Sequence, residues 1–299
     1  MKNIVIIFLV VILAGIGIYF FTKNSPPKVD VTTDTTQSQS DIEISETNDL
    51  VEGSEVVIGK SVEGRDITAY NYGEGDTQIL FVGGIHGGYS WNTVLVAYEL
   101  MDYLKVNPNV IPSKVKVTVI PVLNPDGLNK VVGTDGRFAK TDVSSSQTVK
   151  ISGRFNANNV DLSRNFDCNW KSIGMWQTTT VSGGSKAFSE PESLAIRNYV
   201  ETHKLDAVVV WYSAAGGVYA SSCDSGILPQ TSTITNIYAK ASGYPAYESF
   251  DFYPTTGDMV NWLAKNKIPA ISVLLSTHED IEWDKNRKGI EALLQHYAK

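Results

Sequence analysis

Residues 79–90 read Ile79-Leu80-Phe81-Val82-Gly83-Gly84-Ile85-His86-Gly87-Gly88-Tyr89-Ser90. The first four residues are an apolar run, which is the pattern of a strand buried on both faces. The glycines that follow predict a turn, and they place a histidine just beyond the strand. In open α/β sheets, sites form outside the carboxyl ends of the strands. The stretch therefore predicts a core strand that leads directly into a functional site.

Similar apolar runs and intervening helical patterns recur along the chain. The further strand candidates are Val115–Val122, Ala207–Trp211 and Ala270–Leu275, and the helix candidates are Asn92–Lys105, Ser189–His203 and Asn286–Tyr297. Ser189 is predicted to cap the second helix, with Glu192 completing a capping box. Strands that alternate with helices predict one α/β domain, with a mostly parallel, mixed central sheet covered by helices on both faces.

The N-terminal segment predicts the compartment. Ile4–Phe21 is a run of apolar residues and glycine. At about 1.5 Å per residue it would span roughly 27 Å, close to a bilayer core of about 30 Å. We interpret residues 1–23 as a transmembrane signal anchor with the bulk of the chain outside the cytoplasm, a cleaved signal peptide being the alternative. Residues 24–53 are polar and indicate a flexible linker, which leaves residues 54–299 for the folded domain.

Charge and cysteine content narrow the partners and the redox state. The chain has a net charge of −7 and no basic stripe, which argues against nucleic acid as a partner. Its two cysteines, Cys168 and Cys223, would lie in oxidising surroundings. Both are close in sequence to segments expected at the site. A disulfide between them is predicted, and two unpaired buried thiols are the alternative.

Five segments in a fixed order carry a resemblance to a known family. They are Gly59–Arg65, Gly83–Gly87, Asn124–Gly127, Val160–Phe166, and Tyr253–Gly257 followed by Trp262. In this order and at these spacings, the sequence resembles the zinc metallocarboxypeptidases, the carboxypeptidase A-like peptidases, from Gly59 to Leu294. The resemblance implies the family's α/β fold and a site that holds zinc with two histidines and a glutamate.

The metal side of the resemblance is incomplete. Only His86 matches a zinc ligand, whereas the glutamate position holds Tyr89, or Ser90 if the extra glycine lengthens the turn. The second histidine position holds Tyr212, a phenol that would have to lose a proton of pKa near 10 to bind zinc. The family's general-base glutamate is replaced by Leu274, which cannot accept a proton from water.

The side of the site that would hold substrate is better kept. The family binds a terminal carboxylate through an Asn-Arg pair, which here is Ser163-Arg164. An arginine retains the fork that matches a carboxylate. Tyr253 matches the mobile tyrosine that covers bound substrate, and Arg154 is a candidate for the arginine that polarises the scissile carbonyl.

Three functions remain open from the sequence. The first is a membrane-anchored pseudopeptidase without a cofactor, which binds a peptide-like ligand, such as a cell-wall peptide, through its free carboxylate. The second is an active zinc carboxypeptidase in which His278 or Glu279 folds back toward the remaining histidine. The third is a protein-interaction scaffold, in which Arg164 is a structural cation paired with Asp161 or Asp167.

Overall fold

The computed structural model describes residues 54–299. The anchor and the linker predicted for residues 1–53 lie outside the described residues. Within residues 54–299, no helix combines the length and the apolar character needed to cross a bilayer.

The described chain alternates strands and helices. The strands are β1 Ser54–Lys60, β2 Asp66–Tyr72, β3 Thr77–Val82, β4 Val115–Ile120, β5 Ile173–Trp176, β6 Thr179–Ser182, β7 Leu205–Ser213, β8 Gly217–Ala220, β9 Ser222–Cys223, β10 Gly226–Ile227, β11 Ala246–Tyr247 and β12 Ala270–Leu275. The α-helices are α1 Trp91–Val106, α2 Pro125–Val132, α3 Gln147–Ser152, α4 Pro191–Thr202, α5 Pro229–Ser242, α6 Met259–Lys265 and α7 Trp283–Tyr297. Short 3-10 turns lie at Pro108–Val110, Lys140–Asp142 and Leu162–Arg164.

Eight strands form the central sheet, in the order β1-β2-β4-β3-β7-β12-β8-β11. The central strands β4, β3, β7 and β12 are parallel, whereas β1, β2 and β8 add antiparallel pairings. The carboxyl ends of the four parallel strands therefore meet at one edge. This arrangement confirms the predicted single α/β domain with a mixed central sheet.

Both faces of the sheet are buried, as the apolar runs predict. Side chains such as Phe81 and Trp211 pack with helices α1, α2, α5 and α7 on one face. Their sequence neighbours Val82 and Tyr212 pack with α4 and α6 on the other. Because side chains alternate along a strand, a run without polar interruption supplies a core to each face.

Two predicted helix starts differ from the structure. The N-cap of α4 is Glu190 rather than Ser189, because the Ser189 hydroxyl donates to Oε1 of Glu190 at 2.7 Å and accepts from Asn165 Nδ2 at 3.0 Å. Helix α7 begins at Trp283 instead of Asn286. Tertiary hydrogen bonds thus moved the cap by one residue, which a local pattern does not show.

The glycine-rich turn after β3 is packed too closely for side chains. Gly87 has φ of +43°, and a Cβ built on it would lie 2.7 Å from the carbonyl oxygen of Gly153. A Cβ on Gly88 would lie 2.3 Å from a methyl group of Val131. Since Arg154 follows Gly153 directly, this close approach brings Arg154 next to the histidine of the turn.

The structure joins Cys168 and Cys223 in a disulfide, with Cα atoms 6.2 Å apart. The bond connects the segment after the 3-10 turn Leu162–Arg164 to strand β9. Both segments border the candidate site described below.

Candidate functional site

A pocket of about 580 Å³ lies where β7 and β12 end. Tyr212 and Leu274 are register partners in the parallel pairing of these strands, so their side chains lie side by side. The ring of His86 meets the ring of Tyr212 edge-on at 5.3 Å between centroids. The position that matches a zinc ligand and two of the substituted positions therefore converge, as the sequence pattern predicts.

Both ring nitrogens of His86 are engaged by protein groups. Nε2 lies 2.9 Å from Ser163 Oγ, and that hydroxyl donates to Asp161 Oδ1 at 2.7 Å. Nδ1 lies 3.2 Å from Nη1 of Arg154, which donates to it. Burial, together with the charge of Arg154, lowers the pKa of His86 to about 4. The imidazole is therefore neutral, with its only lone pair directed at a guanidinium.

Arg154 is almost fully buried beside this histidine. Its Nε donates to Asp161 Oδ2 at 2.9 Å, and its Nη2 lies 2.8 Å from the same oxygen. The guanidinium stacks on Trp176 at 4.6 Å from the ring centroid. Burial opposes the charge of Asp161, but the Arg154 guanidinium and the His86 contact hold the pKa of that carboxyl well below its usual range. Arg154 and Asp161 thus form a buried ion pair.

The positions that correspond to the other metal ligands offer no second donor. The Tyr212 hydroxyl donates to Asp258 Oδ1 at 3.2 Å, and burial raises its pKa well above the usual value. Tyr89 packs edge-on against Trp176 at 5.0 Å, and burial also raises its pKa. Ser90 is buried at the start of α1. Protonated phenols and a hydroxyl are poor zinc ligands, so the residues present do not fit the metal.

The alternative ligand set with His278 and Glu279 is not assembled. His278 lines the pocket, where its Nδ1 lies 2.8 Å from Ser213 Oγ. Glu279 instead lies near the ammonium groups of Lys140 and Lys150, at 3.7 and 3.4 Å. Within residues 54–299, no group of three or more His, Cys, Asp or Glu side chains is placed to hold a metal ion.

Arg164 is buried in the pocket, where hydroxyl and carbonyl groups hold it. Its Nη1 donates to the carbonyl and hydroxyl oxygens of Ser163, at 2.7 and 2.9 Å. Nε and Nη2 donate to the carbonyl oxygen of Met175, at 3.1 and 2.9 Å. The ring of Tyr253 lies over the guanidinium at 5.9 Å. The arginine and the aromatic residue at the lid position therefore face each other.

The ion pairs considered for Arg164 from the sequence are not formed. Asp161 pairs with Arg154, and Asp167 pairs with Lys265 at 3.0 Å near the surface. Among the described residues, no carboxylate lies within ion-pair distance of Arg164. A neutral shell of carbonyls and hydroxyls therefore surrounds a full positive charge.

Comparison with known proteins decides the family. The zinc carboxypeptidase family model matches residues 49–283. The chain belongs to the zinc carboxypeptidase family.

Individual relatives are distant. A γ-D-glutamyl-L-diamino acid endopeptidase of Lysinibacillus sphaericus is 23% identical over 215 residues, covering 66% of this chain and 54% of the relative. A zinc carboxypeptidase of Simulium vittatum is 28% identical over 157 residues, covering 50% of this chain and 49% of the relative. The chain spans about half the length of these curated relatives.

Two solved structures share the fold. Carboxypeptidase A from Helicoverpa armigera superposes with a TM-score of 0.65 at 19% identity, covering 83% of this chain and 69% of that one. The murein-tripeptide amidase MpaA from Escherichia coli O157 gives a TM-score of 0.59 at 19% identity, covering 82% and 92%.

Several pocket residues were missed by sequence reasoning. Asp258 accepts the Tyr212 hydroxyl and caps α6 through bonds to the amides of Val260 and Asn261. An Asp directly before an apolar helical segment was an available signal. Trp176 gave no such signal, because it reaches Arg154 from the β5–β6 hairpin, far from the motifs.

Proposed function

We propose that this family member binds a peptide-like ligand through its free C-terminal carboxylate at Arg164, without cleaving it by zinc chemistry. One observation carries the proposal, namely that Arg164 is a buried cation in the pocket whose candidate carboxylate partners are both paired elsewhere. Burying an unpaired charge is costly. A ligand carboxylate would supply the missing countercharge.

The hydrogen bonds of Arg164 define how a carboxylate would bind. Four of its N–H groups donate to Ser163 and Met175, which leaves one N–H of Nη2 without a partner among residues 54–299. We infer one charge-assisted hydrogen bond to the ligand rather than a two-pronged contact. Tyr253 and Phe250, whose rings lie 4.9 Å apart, form the aromatic wall above it.

Cleavage by the family mechanism lacks its chemical groups. Leu274 offers no base, Tyr212 remains a protonated donor to Asp258, and Arg154 occupies the free nitrogen of His86. The names of two relatives, a γ-D-glutamyl-L-diamino acid endopeptidase and a murein-tripeptide amidase, support a cell-wall peptide as the ligand.

Isothermal titration calorimetry on the full chain tests this proposal. A short peptide with a free carboxylate, and a murein tripeptide in a parallel arm, should bind more tightly than their C-terminal amides. The difference should be about 1.5–3 kcal/mol, the usual contribution of a hydrogen bond to a charged group. Arg164→Ala should abolish the difference. Adding zinc or a chelator should change neither the affinity nor the recovery of intact peptide.

Arg137→Ala is the matched control, because it removes an exposed guanidinium that pairs with Asp102 outside the pocket. It should preserve the preference for the acid. Equal affinity for acid and amide in the unmodified protein would refute carboxylate binding, and the scaffold function would then be favoured.

We also propose that residues 1–23 anchor the protein in a membrane, with the domain on the extracytoplasmic side. The apolar run in the sequence supports this, and so does the disulfide, since disulfides persist in oxidising compartments. Protease added to intact cells that express the full chain should remove the domain. Protection until the cells are lysed would contradict this orientation.

A further inference from the structure

A serine and a histidine lie in contact beside the substituted zinc site. Ser213 is the last residue of β7 and follows Tyr212, while His278 lies in the loop after β12. Ser213 Oγ is 2.8 Å from His278 Nδ1. Both side chains are half-buried and line the pocket. A nucleophile within hydrogen-bond reach of a base is the arrangement that covalent catalysis requires.

Neighbouring groups fix both members of this pair. The amide nitrogen of Asn92 donates to the carbonyls of Thr277 and Asp280, at 2.7 and 2.9 Å, so it holds the loop that carries His278. The ring of Tyr89 packs edge-on against the imidazole at 4.5 Å. The pair is therefore positioned before any ligand binds, which reduces the entropy lost in reaching a reactive geometry.

The hydroxyl proton of Ser213 has two possible acceptors. Asn92 Oδ1 lies 3.2 Å from Oγ, whereas His278 Nδ1 is closer. Burial, together with the charge of Arg154, lowers the pKa of His278, so the ring is neutral and has a lone pair for the proton. The shorter contact therefore links the hydroxyl to a competent base.

We propose that Ser213 and His278 are a nucleophile and its general base, which give the pocket a metal-independent acyl-transfer activity. The substrates would be esters or amides of the peptide-like ligand, and this choice of substrate class rests on the proposed function above. The nucleophile itself does not depend on Arg164.

The reaction balances without a metal or an added reactant. Ser213 Oγ bonds to the carbonyl carbon while its proton moves to His278 Nδ1. The bond from that carbon to the leaving oxygen or nitrogen then breaks, and the leaving group takes the proton from the imidazole. Water hydrolyses the acyl-serine by the same route and restores the hydroxyl. Arg154 lines the same pocket, and its positive charge favours the oxyanion formed in each step.

A fluorophosphonate probe tests the nucleophile directly. Oγ bonds to phosphorus, the phosphorus–fluorine bond breaks, fluoride leaves, and His278 takes the hydroxyl proton. With the purified full chain in the presence of a chelator, peptide mapping by mass spectrometry should locate the adduct on Ser213. Ser213→Ala should abolish labelling, and His278→Gln should slow it by about 100-fold or more, the range lost with a general base.

Ser249→Ala is the matched control, since Ser249 also lines the pocket, and it should label at the unmodified rate. No adduct on the wild-type protein, an adduct on another serine, or undiminished labelling of His278→Gln would each overturn the proposal. The wild-type peptide map decides the matter even if Ser213→Ala fails to fold.

Labelling also separates this inference from the proposed function. Arg164→Ala should lose its preference for a carboxylate and still react at Ser213. A protein that prefers the acid in calorimetry and does not react with the probe would refute the nucleophile alone.

Discussion

At the residue scale, the contacts of His86 separate this site from a metal centre. One nitrogen faces Ser163 and Asp161, and the other accepts from the Arg154 guanidinium. A divalent ion would have to displace a buried cation that is itself paired with Asp161. The arginine therefore supplies positive charge where the family uses zinc, without offering an open coordination position.

This contact predicts the outcome of rebuilding the ligand set. Replacing Tyr89 by Glu, Tyr212 by His and Leu274 by Glu provides the missing side chains, but zinc should remain weakly bound while Arg154 occupies Nδ1. Adding Arg154→Ala should give near-stoichiometric zinc after dialysis against a mild chelator, measured by elemental analysis. Arg137→Ala on the same triple variant is the control. Equal zinc with and without Arg154 would show that the guanidinium does not block the site.

A second residue-scale prediction concerns Asp258. Burial raises its pKa, an effect that the charge of Arg164 partly offsets. A carboxyl with a higher pKa in the folded chain binds more protons when folded, so its contribution to the free energy of unfolding falls as the pH rises above about 4. Asp258→Asn keeps an oxygen for the N-cap of α6 and an amide for Tyr212, but it carries no charge.

Urea unfolding at several pH values measures the effect. The variant should gain stability relative to the unmodified protein as the pH rises from about 4 toward 7. A difference that does not change with pH would mean that Asp258 ionises in the folded protein as it does in the unfolded chain.

At the element scale, the site depends on contact between the turn after β3 and the chain around helix α2. A Cβ on Gly153 would lie 2.4 Å from a methyl group of Val131 and 2.8 Å from the carbonyl oxygen of Gly127. The apolar runs predict the strands of the core, but no sequence pattern predicts this approach. It places His86 and Arg154 in contact although they are distant in sequence.

Gly153→Ala should therefore lower the free energy of unfolding by about 1–3 kcal/mol, the usual cost of overpacking. It should also lower the affinity for a peptide carboxylate, because the Arg154 and Asp161 contacts shift. Gly136→Ala is the matched control, since a Cβ there would meet nothing closer than 4.0 Å. Denaturant unfolding would compare the two, and equal stability would contradict the packing argument.

At the scale of the whole molecule, the disulfide joins two distant parts of the chain beside the pocket. Cys168 and Cys223 are separated by 55 residues, and a loop of that length gives an entropic stabilisation of about 4 kcal/mol in the chain-entropy model. The variant with both cysteines changed to Ser should lose about that much free energy of unfolding. A reductant should destabilise the wild-type protein similarly and leave the variant unchanged. A reductant that also destabilised the variant would show that its effect does not come from this bond.

The sequence alone determined the class of fold and the positions at which the site forms. Unbroken apolar runs such as Ile79–Val82 and Ala270–Leu275 require a sheet buried on both faces, because alternate side chains point to opposite sides. Parallel central strands then bring His86, Tyr212 and Leu274 to one edge. The substitutions at the metal and base positions are visible in the sequence, since a side chain's capacity to bind zinc or accept a proton is a property of the residue itself.

Only the tertiary structure decided which groups contact each other. Arg154 was a candidate for holding a carbonyl group, and it instead donates to His86 and pairs with Asp161. Ser213 and His278 belong to different strand ends, and no local pattern connects them. Hydrogen bonds and ion pairs depend on distances of a few ångströms between residues far apart in sequence, and those distances are set by how the turns pack.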